Sequence, residues 1–356
     1  MTEVKEQRRQ ISIKGIVDHM GIPTLFVGVF LVLTVLLGSF LGISMSTLIS
    51  DTIKRTGMNG ILVLAMVPSI QSGTGPNFAL PVGIICGLFA LVCSIEFGLM
   101  GASLIVVSII LAIVLAIIVG YFYGRLLNAV KGSEMTIATY TGFSVVALMN
   151  LAWLMIPFKN PKMRWFMGDG LRETIQLEGV GAAQILNNFL MFKIGEVIIP
   201  TGLILVFLAA CAIVWLFFKS KTGIAISAGG INSNFAKASG VNNDRGRIIA
   251  NIISTVLGAI GIIVYSQSYG YAQLYGGPLM MAFGAVAAVL IGGATAKRAR
   301  VSHVIIGVVL FQGLLTSALP VANIVFAGTD LSETMRMIIQ NGIILYALTQ
   351  VKGGGK

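Results

Sequence analysis

From Gly101 to Gly124 the chain reads GASLIVVSIILAIVLAIIVGYFYG, without one charged side chain. A run of this kind satisfies its own backbone hydrogen bonds as a helix, and at about 1.5 Å per residue it is long enough to cross the roughly 30 Å hydrocarbon core of a bilayer. Comparable runs recur at about 23–43, 57–72, 78–97, 136–157, 197–218, 248–269, 278–296, 301–319 and 333–351, which makes ten expected spans in all. Only 10% of the 356 residues are charged, against roughly a quarter in soluble domains. The expected fold is an all-α polytopic membrane protein of about ten transmembrane helices.

The distribution of charge orients it. The net charge of +11 would suggest nucleic acid in a soluble protein; here its placement argues instead for a bilayer and no nucleic acid, because Lys and Arg gather on the cytoplasmic side of spans. With both termini inside, the segments 1–21, 125–135, 219–247, 297–303 and 352–356 hold 16 of the 24 basic residues. Five of the other eight fall in the long loop 158–196, where charge says little about orientation. The acidic residues Asp51, Glu96, Asp169, Glu173, Glu178, Glu196, Asp330 and Glu333 lean outward. The expected organisation is a cytoplasmic tail over 1–21, a single transmembrane domain over 22–351 and a short cytoplasmic tail over 352–356. The first apolar run is too long for the core of a cleaved signal peptide and reads as an uncleaved first helix.

Two polar intervals interrupt the apolar pattern. After the second run comes SGTGPNFALPVG, Ser72 to Gly83, uncharged and rich in helix breakers (Pro76, Pro81, Gly73, Gly75). Broken backbone at membrane depth is tolerated only where protein or a watery cavity supplies partners. Gln71, Ser72, Thr74 and Asn77, with Phe78 beside them, therefore either line a path for a polar solute or form a plain turn at the membrane surface. The second interval is Lys219 to Arg247, placed inside between the sixth and seventh spans. Within it Ser233 is positioned to cap a two-turn helix, Asn234 to Ser239, with Gly240 as its left-handed stop and Val241 as the accompanying apolar contact. So short a helix needs a partner or the ends of the spans to hold it. In the spans, Gly83 and Gly87, and Gly120 and Gly124, stand at the spacing of close helix approach. The loop 158–196 is long enough for a lid or docking surface, though its aromatics also suit an interface belt.

Much chemistry is missing from the sequence. No phosphate-binding G-x-x-x-x-G-K-[ST] is present, so ATP hydrolysis is not expected of this chain. His19 and His303 lie far apart with no other ligand types beside them, and Cys86, Cys93 and Cys211 sit in apolar runs as small hydrophobes, so neither a metal site nor a catalytic set is expected. The acidic residues in the runs are Glu96 and Glu333, each at an outer end. Proton- or sodium-coupled carriers bury such residues in the path, so the energy for transport is expected to enter from a partner.

KTGIAISAGGINSNFAKASGVNNDRGRI, Lys221 to Ile248, resembles the coupling segment of ABC-importer permeases of the ribose/galactose/autoinducer-2 type. Lys221, Gly223, Gly229, Gly230, Asn232 or Asn234, Ala236, Gly240, Val241 and Asn242 carry the likeness. SGTGPNFALPVG, GYFYGRLLNAVKGSEMTIAT (Gly120 to Thr139) and AFGAVAAVLIGGATAKRARV (Ala282 to Val301) resemble three further segments of that family in the same order. Asn77 stands where the family often has Asp, and AKRAR replaces a Gly/Ser-rich turn, which leaves the solute open between a simple sugar, a nucleoside or another polar molecule. The resemblance implies a bacterial inner-membrane subunit paired with a second permease, two ABC ATPase subunits and an extracytoplasmic binding protein. It implies no cofactor. It also implies that Asn234, Phe235, Ala236, Lys237, Ala238, Gly240 and Val241 seat in a groove of the ATPase, with Phe235 as anchor. The alternative is an ion-coupled carrier of five-plus-five inverted repeats, which ten spans and a broken second segment would fit.

Overall fold

The structure is a computed structural model that describes residues 22–165 and 170–325, together with positions 338, 341, 342 and 345. It is an all-α membrane protein. Helix α1 (Ile22–Phe40) is apolar throughout. Helix α2 (Met45–Leu64), capped by Ser44, begins with a half that carries Asp51, Lys54 and Arg55 and ends in the fully buried run Ile61 to Leu64. After Ala65 the chain resumes as α3 (Met66–Gln71), buried from Met66 to Ile70. Pro68 there has no N–H to give the helix, a loss tolerated where neighbours satisfy the freed carbonyls.

Helix α4 (Leu80–Glu96) carries Pro81 in its first turn, where a missing N–H costs nothing. Helices α5 (Gly101–Ala129) and α6 (Glu134–Met155) follow. The long connection after α6 folds into β1 (Thr174–Gln176), the single turn α7 (Ile185–Asn188), β2 (Phe192–Ile194) and β3 (Val197–Ile199). Next come α8 (Thr201–Lys219), α9 (Lys221–Ile231), α10 (Ser233–Ala238), α11 (Asn243–Tyr269), β4 (Tyr271–Gln273), α12 (Gly277–Ile291) and α13 (Val301–Val325). Strand β4 returns to pair antiparallel with β1, Ile175 opposite Ala272, while β2 and β3 form a hairpin around Gly195 and Glu196.

Among the described residues six helices are long and apolar enough to span a bilayer: α1, α5, α6, α8, α11 and α13. Helices α4 and α12 are apolar but shorter, and the expected second span is the α2–α3 pair. The tenth expected span, at 333–351, lies outside the described residues but for four positions. One boundary differs from expectation for a physical reason. The second span begins at Met45 rather than near 57, because one face of its polar first half packs under β3, where Ser46 donates to Glu196 (2.8 Å) and Ser50 accepts from Ile198 N (2.9 Å). In the long loop the run AAQILNNFLMF holds the single turn α7, and its Gln184 N–H reaches the Gln267 carbonyl of α11 (2.6 Å).

The bundle is built around α11, which lies against α4 and α5 on one side and α2 on the other. The close approach read from the sequence is present. A Cβ at Gly83 or Gly87 would strike the backbone of Thr255 or Ala259, and one at Gly120 or Gly124 would stand 3.0 Å from the Cα of Ile252 or Ile248. Without water to drive apolar faces together, helices in a bilayer associate through such tight contacts and through interhelical hydrogen bonds. The latter hold α1 in place: Thr24 donates to the Ile291 carbonyl (2.5 Å) and Thr34 pairs with Ser317 (2.9 Å). Cys86 and Cys211 are buried free thiols, in keeping with their apolar surroundings.

The two ends of the bundle differ. One carries Lys131, Lys221, Lys237, Arg245, Arg247, Lys297, Arg298 and Arg300; the other carries the β-ribbons with Glu96, Glu173, Glu178 and Glu196. On the positive-inside rule the first end is expected to be the cytoplasmic one. In oriented vesicles a membrane-impermeant maleimide should therefore label Asn234→Cys only from the inner face and Lys193→Cys only from the outer. Reversed labelling would invert the bundle.

Candidate functional site

At the basic end the polar interval between α8 and α11 folds as two helices rather than one. Ser220 starts α9 by accepting from Gly223 N (3.2 Å), a helix the sequence reading had not separated from the loop. Asn232 then both ends α9 and caps α10, its Oδ1 accepting from Phe235 N at 3.0 Å. The expected cap, Ser233, is displaced by one residue because Asn232 already has the extended backbone a cap requires. The Ser233 carbonyl and hydroxyl instead receive Asn243 Nδ2, both at 2.9 Å. The stop is as expected: Gly240 has φ of 78°, Val241 N–H returns to the Ala236 carbonyl (2.9 Å) and Gly240 N–H to Lys237 (3.0 Å).

This local folding decides which side chains face out. Ala236 is buried and Val241 half-buried, which seats α10 on the protein, whereas Asn234, Lys237 and Ala238 are exposed. Phe235 is 66% exposed and Ile231, next to the cap, 67%. Phe235 and Ile231 thus form a small exposed apolar surface beside the cap of α10.

The segment between α3 and α4 is buried in the bundle and is no surface turn. Ser72, Thr74 and Asn77 are at most 4% exposed, with Gln71 and Phe78 half-buried. Gly73 and Gly75 take left-handed φ of 79° and 81°, and the hydroxyls serve the bent backbone. Ser69 Oγ donates to Gly75 O, while Ser72 and Thr74 each reach the Ser69 carbonyl at 2.8 Å. Asn77 is the hub. Its Oδ1 accepts from Tyr123 Oη (2.9 Å) and Ala79 N (3.0 Å), and its Nδ2 donates to Ser254 Oγ (2.8 Å). Ser254 in turn donates to the Ala65 carbonyl (2.7 Å), where α2 breaks into α3. In this conformation the polar groups of 72–77 are therefore engaged with protein. Phe78 lies against Phe283, ring centroids 6.3 Å apart.

Gln71 joins the two polar intervals. Its Oε1 accepts from Ser227 Oγ of α9 (2.5 Å) and its Nε2 donates to the Ala299 carbonyl (2.6 Å) in the turn before α13. Gly230 sits directly on the Gln71 carbonyl, so any Cβ there would collide, and a Cβ at Gly73 would stand 3.0 Å from Gly230 Cα. Ser227 and Ala299 were not among the sequence-predicted residues. Ser227 had a signal in its place in the resembling segment; Ala299 contributes only a carbonyl, which no sequence displays. A second tie comes from Glu134 and Arg247, 2.6 Å apart and mostly shielded, and from the exposed pair Lys131 and Asp244, also 2.6 Å apart. The exposed pair adds little to stability. Together they dock the 130–134 turn on the start of α11, beside a cavity of about 340 Å³ into which Ser72, Asn242 and Arg247 face.

The family model described as branched-chain amino acid transport system / permease component matches residues 48–348. The chain belongs to this permease family. Comparison with curated proteins and with solved structures gives no match. The permease is accordingly a multi-pass membrane component of an ABC transport system, and the ion-coupled carrier is set aside. The likeness to the sugar-type branch noted from its four segments lies largely within the matched residues.

The hub makes a prediction about stability. Asn77→Leu leaves Tyr123 Oη, Ala79 N and one side of Ser254 without partners, at about 1–3 kcal/mol for each buried orphan. Tyr123→Phe removes a single neutral bond, worth about 1 kcal/mol. Thermal unfolding in detergent should show a much larger loss for Asn77→Leu than for Tyr123→Phe; equal losses would remove Asn77 from the centre of the network.

Proposed function

We propose that this permease forms the translocation path of a binding-protein-dependent, ATP-driven importer in a bacterial plasma membrane, and that α10 is its contact with a separate ABC ATPase. The observation that carries the proposal is the bridge Ser227–Gln71–Ala299. It connects the helix next to α10 with the break in the central span and with the foot of α13. On this reading Phe235 seats in a groove of the ATPase, as hot-spot aromatics do, with Asn234, Lys237 and Ala238 around it and Ala236, Gly240 and Val241 holding the turn. Closure of the ATPases displaces α10 and α9 as a unit, and the Gly230–Gln71 contact passes that motion to 71–78. A second permease subunit completes the path, along which Gln71 and Phe78, the half-buried members, would face the solute first. Ser72, Thr74 and Asn77 would join once their internal bonds exchange.

The polar composition of the interior supports a neutral solute. The buried polar side chains among the described residues are Ser, Thr, Asn and Gln, with no ionised group. An amino acid would bring two charges into that interior, at a steep desolvation cost without partners. Neutral hydroxyl-rich solutes, a simple sugar or a nucleoside, match it.

Phe235→Asp should abolish copurification of the ATPase and with it uptake, while the protein still inserts. Gln71→Leu should retain the ATPase and its hydrolysis yet lower transport per ATP by about tenfold, since a coupling free energy of ~1.4 kcal/mol corresponds to that factor. Uptake of ribose, galactose and leucine by reconstituted transporter, measured against ATP consumed, checks both. Unchanged uptake in Phe235→Asp would remove α10 from the coupling.

A further inference from the structure

The end of the bundle opposite α10 contains a second polar layer that the coupling route does not use. Ser266, Gln267 and Ser268 close the last turns of α11 and are at most 1% exposed. Asn187, on α7, is 5% exposed and Ser108, on α5, is fully buried. Register brings Ser94 to the same level: Gly87 packs on Ala259, and seven residues further along these two similarly directed helices Ser94 stands level with Ser266. Helix α5 runs the other way, and from the contact of Gly120 with Ile252 and Thr255 the same count puts Ser108 at that level too.

Four groups in this layer have no hydrogen-bond partner: Ser108 Oγ, Asn187 Oδ1, Ser266 Oγ and Ser268 Oγ. Buried polar groups in native proteins are overwhelmingly paired, so four orphans on three neighbouring elements call for a physical reason. At the other polar centre of the bundle Asn77 and Ser254 are fully engaged, and the nearest orphan there is Asn251 Oδ1.

Above the layer lies the segment 184–190. It is pinned by Gln184 N–H to the Gln267 carbonyl (2.6 Å) and by Leu186 N–H to Gln267 Oε1 (3.1 Å). A longer contact runs from Asn187 Nδ2 to the Ser268 carbonyl (3.4 Å). Gln184 and Leu190, its two ends, are the non-glycine residues with positive φ among the described residues, at 55° and 53°. Both the segment's attachment and the orphans beneath it therefore converge on the last turn of α11.

We infer that Ser108, Asn187, Ser266 and Ser268 form an outer binding layer for a neutral polyhydroxylated solute, and that 184–190 is the lid that closes it. This rests on the importer reading above. With the lid down the hydroxyls are buried and unpaired. With it raised about Gln184 and Leu190 they present donors and acceptors to the hydroxyls of a solute released at the outer face. Serine hydroxyls both donate and accept, which suits a sugar; no charged side chain stands in the layer to pair with an ammonium or a carboxylate.

Thiol accessibility tests this without knowledge of the solute. In a background of Cys86→Ala, Cys93→Ala and Cys211→Ala, Ser266→Cys is close to isosteric and should be labelled from outside by a membrane-impermeant maleimide. The reaction should run about tenfold faster in intact cells making ATP, with the whole transporter expressed, than in cells depleted of it, as a shift toward an open state requires. Ser108→Cys should follow the same pattern, which guards against a fault peculiar to one variant. A thiol at 266 that stays unreactive in energised cells with intact uptake, or that reacts equally fast in both states, overturns the gated layer. Uptake that proves independent of ATP, with labelling still changing between states, would instead count against the importer reading.

Discussion

Inside a bilayer-spanning bundle a backbone carbonyl or N–H has no water to turn to, and each one left over costs as much as several good packing contacts bring. The permease breaks its central span at Ala65 and again after Gln71, so it must find internal partners for the freed groups. It does so with short side chains. Ser69, Ser72 and Thr74 close the bend upon itself, and Asn77 with Ser254 and Tyr123 fastens it to α5 and α11. The arrangement of the central helices depends on that network, because the helices that supply its members must lie within hydrogen-bond reach of a bend on α3.

Small residues make that reach possible. Glycines on α4 and α5 let α11 come close enough for the polar residues to meet, and glycine again lets α9 lie on the Gln71 carbonyl. The same economy governs the basic end. There α10 is a six-residue helix that would not persist alone, yet an asparagine cap, a left-handed glycine and one buried alanine hold it with Phe235 turned outward. What is presented to a partner is thus decided by capping and turn chemistry at its edges.

The sequence made the class of fold legible because apolar runs of membrane length have few other uses, and charge placement made the ends of the bundle distinguishable. The stop at Gly240 followed from local rules. The start of α10 did not: Ser233 and Asn232 are both good caps, and only backbone geometry chooses between them. The helical character of Lys221–Ile231 was hidden by its two adjacent glycines, which disfavour a helix unless something packs on them, as the bend at Gln71 does. Asn77 was recognised as polar, in a path or at a surface turn, but its partners Tyr123 and Ser254 lie 46 and 177 residues away, a distance no spacing rule spans. The role of Ala299 resides in its carbonyl and leaves no mark in the sequence.

The meeting of Gly230 with Gln71 is main chain on main chain, with no flexible side chain between to absorb movement. A linkage with so little play passes displacement on almost undiminished, much as a rigid pushrod does. It also separates two kinds of variation. On the coupling proposed above, the solvent-facing surface of α10 is free to change its fit to one motor or another, whereas Gly230, seated on the Gln71 carbonyl, tolerates no added atom. One transmission can thereby serve different engines.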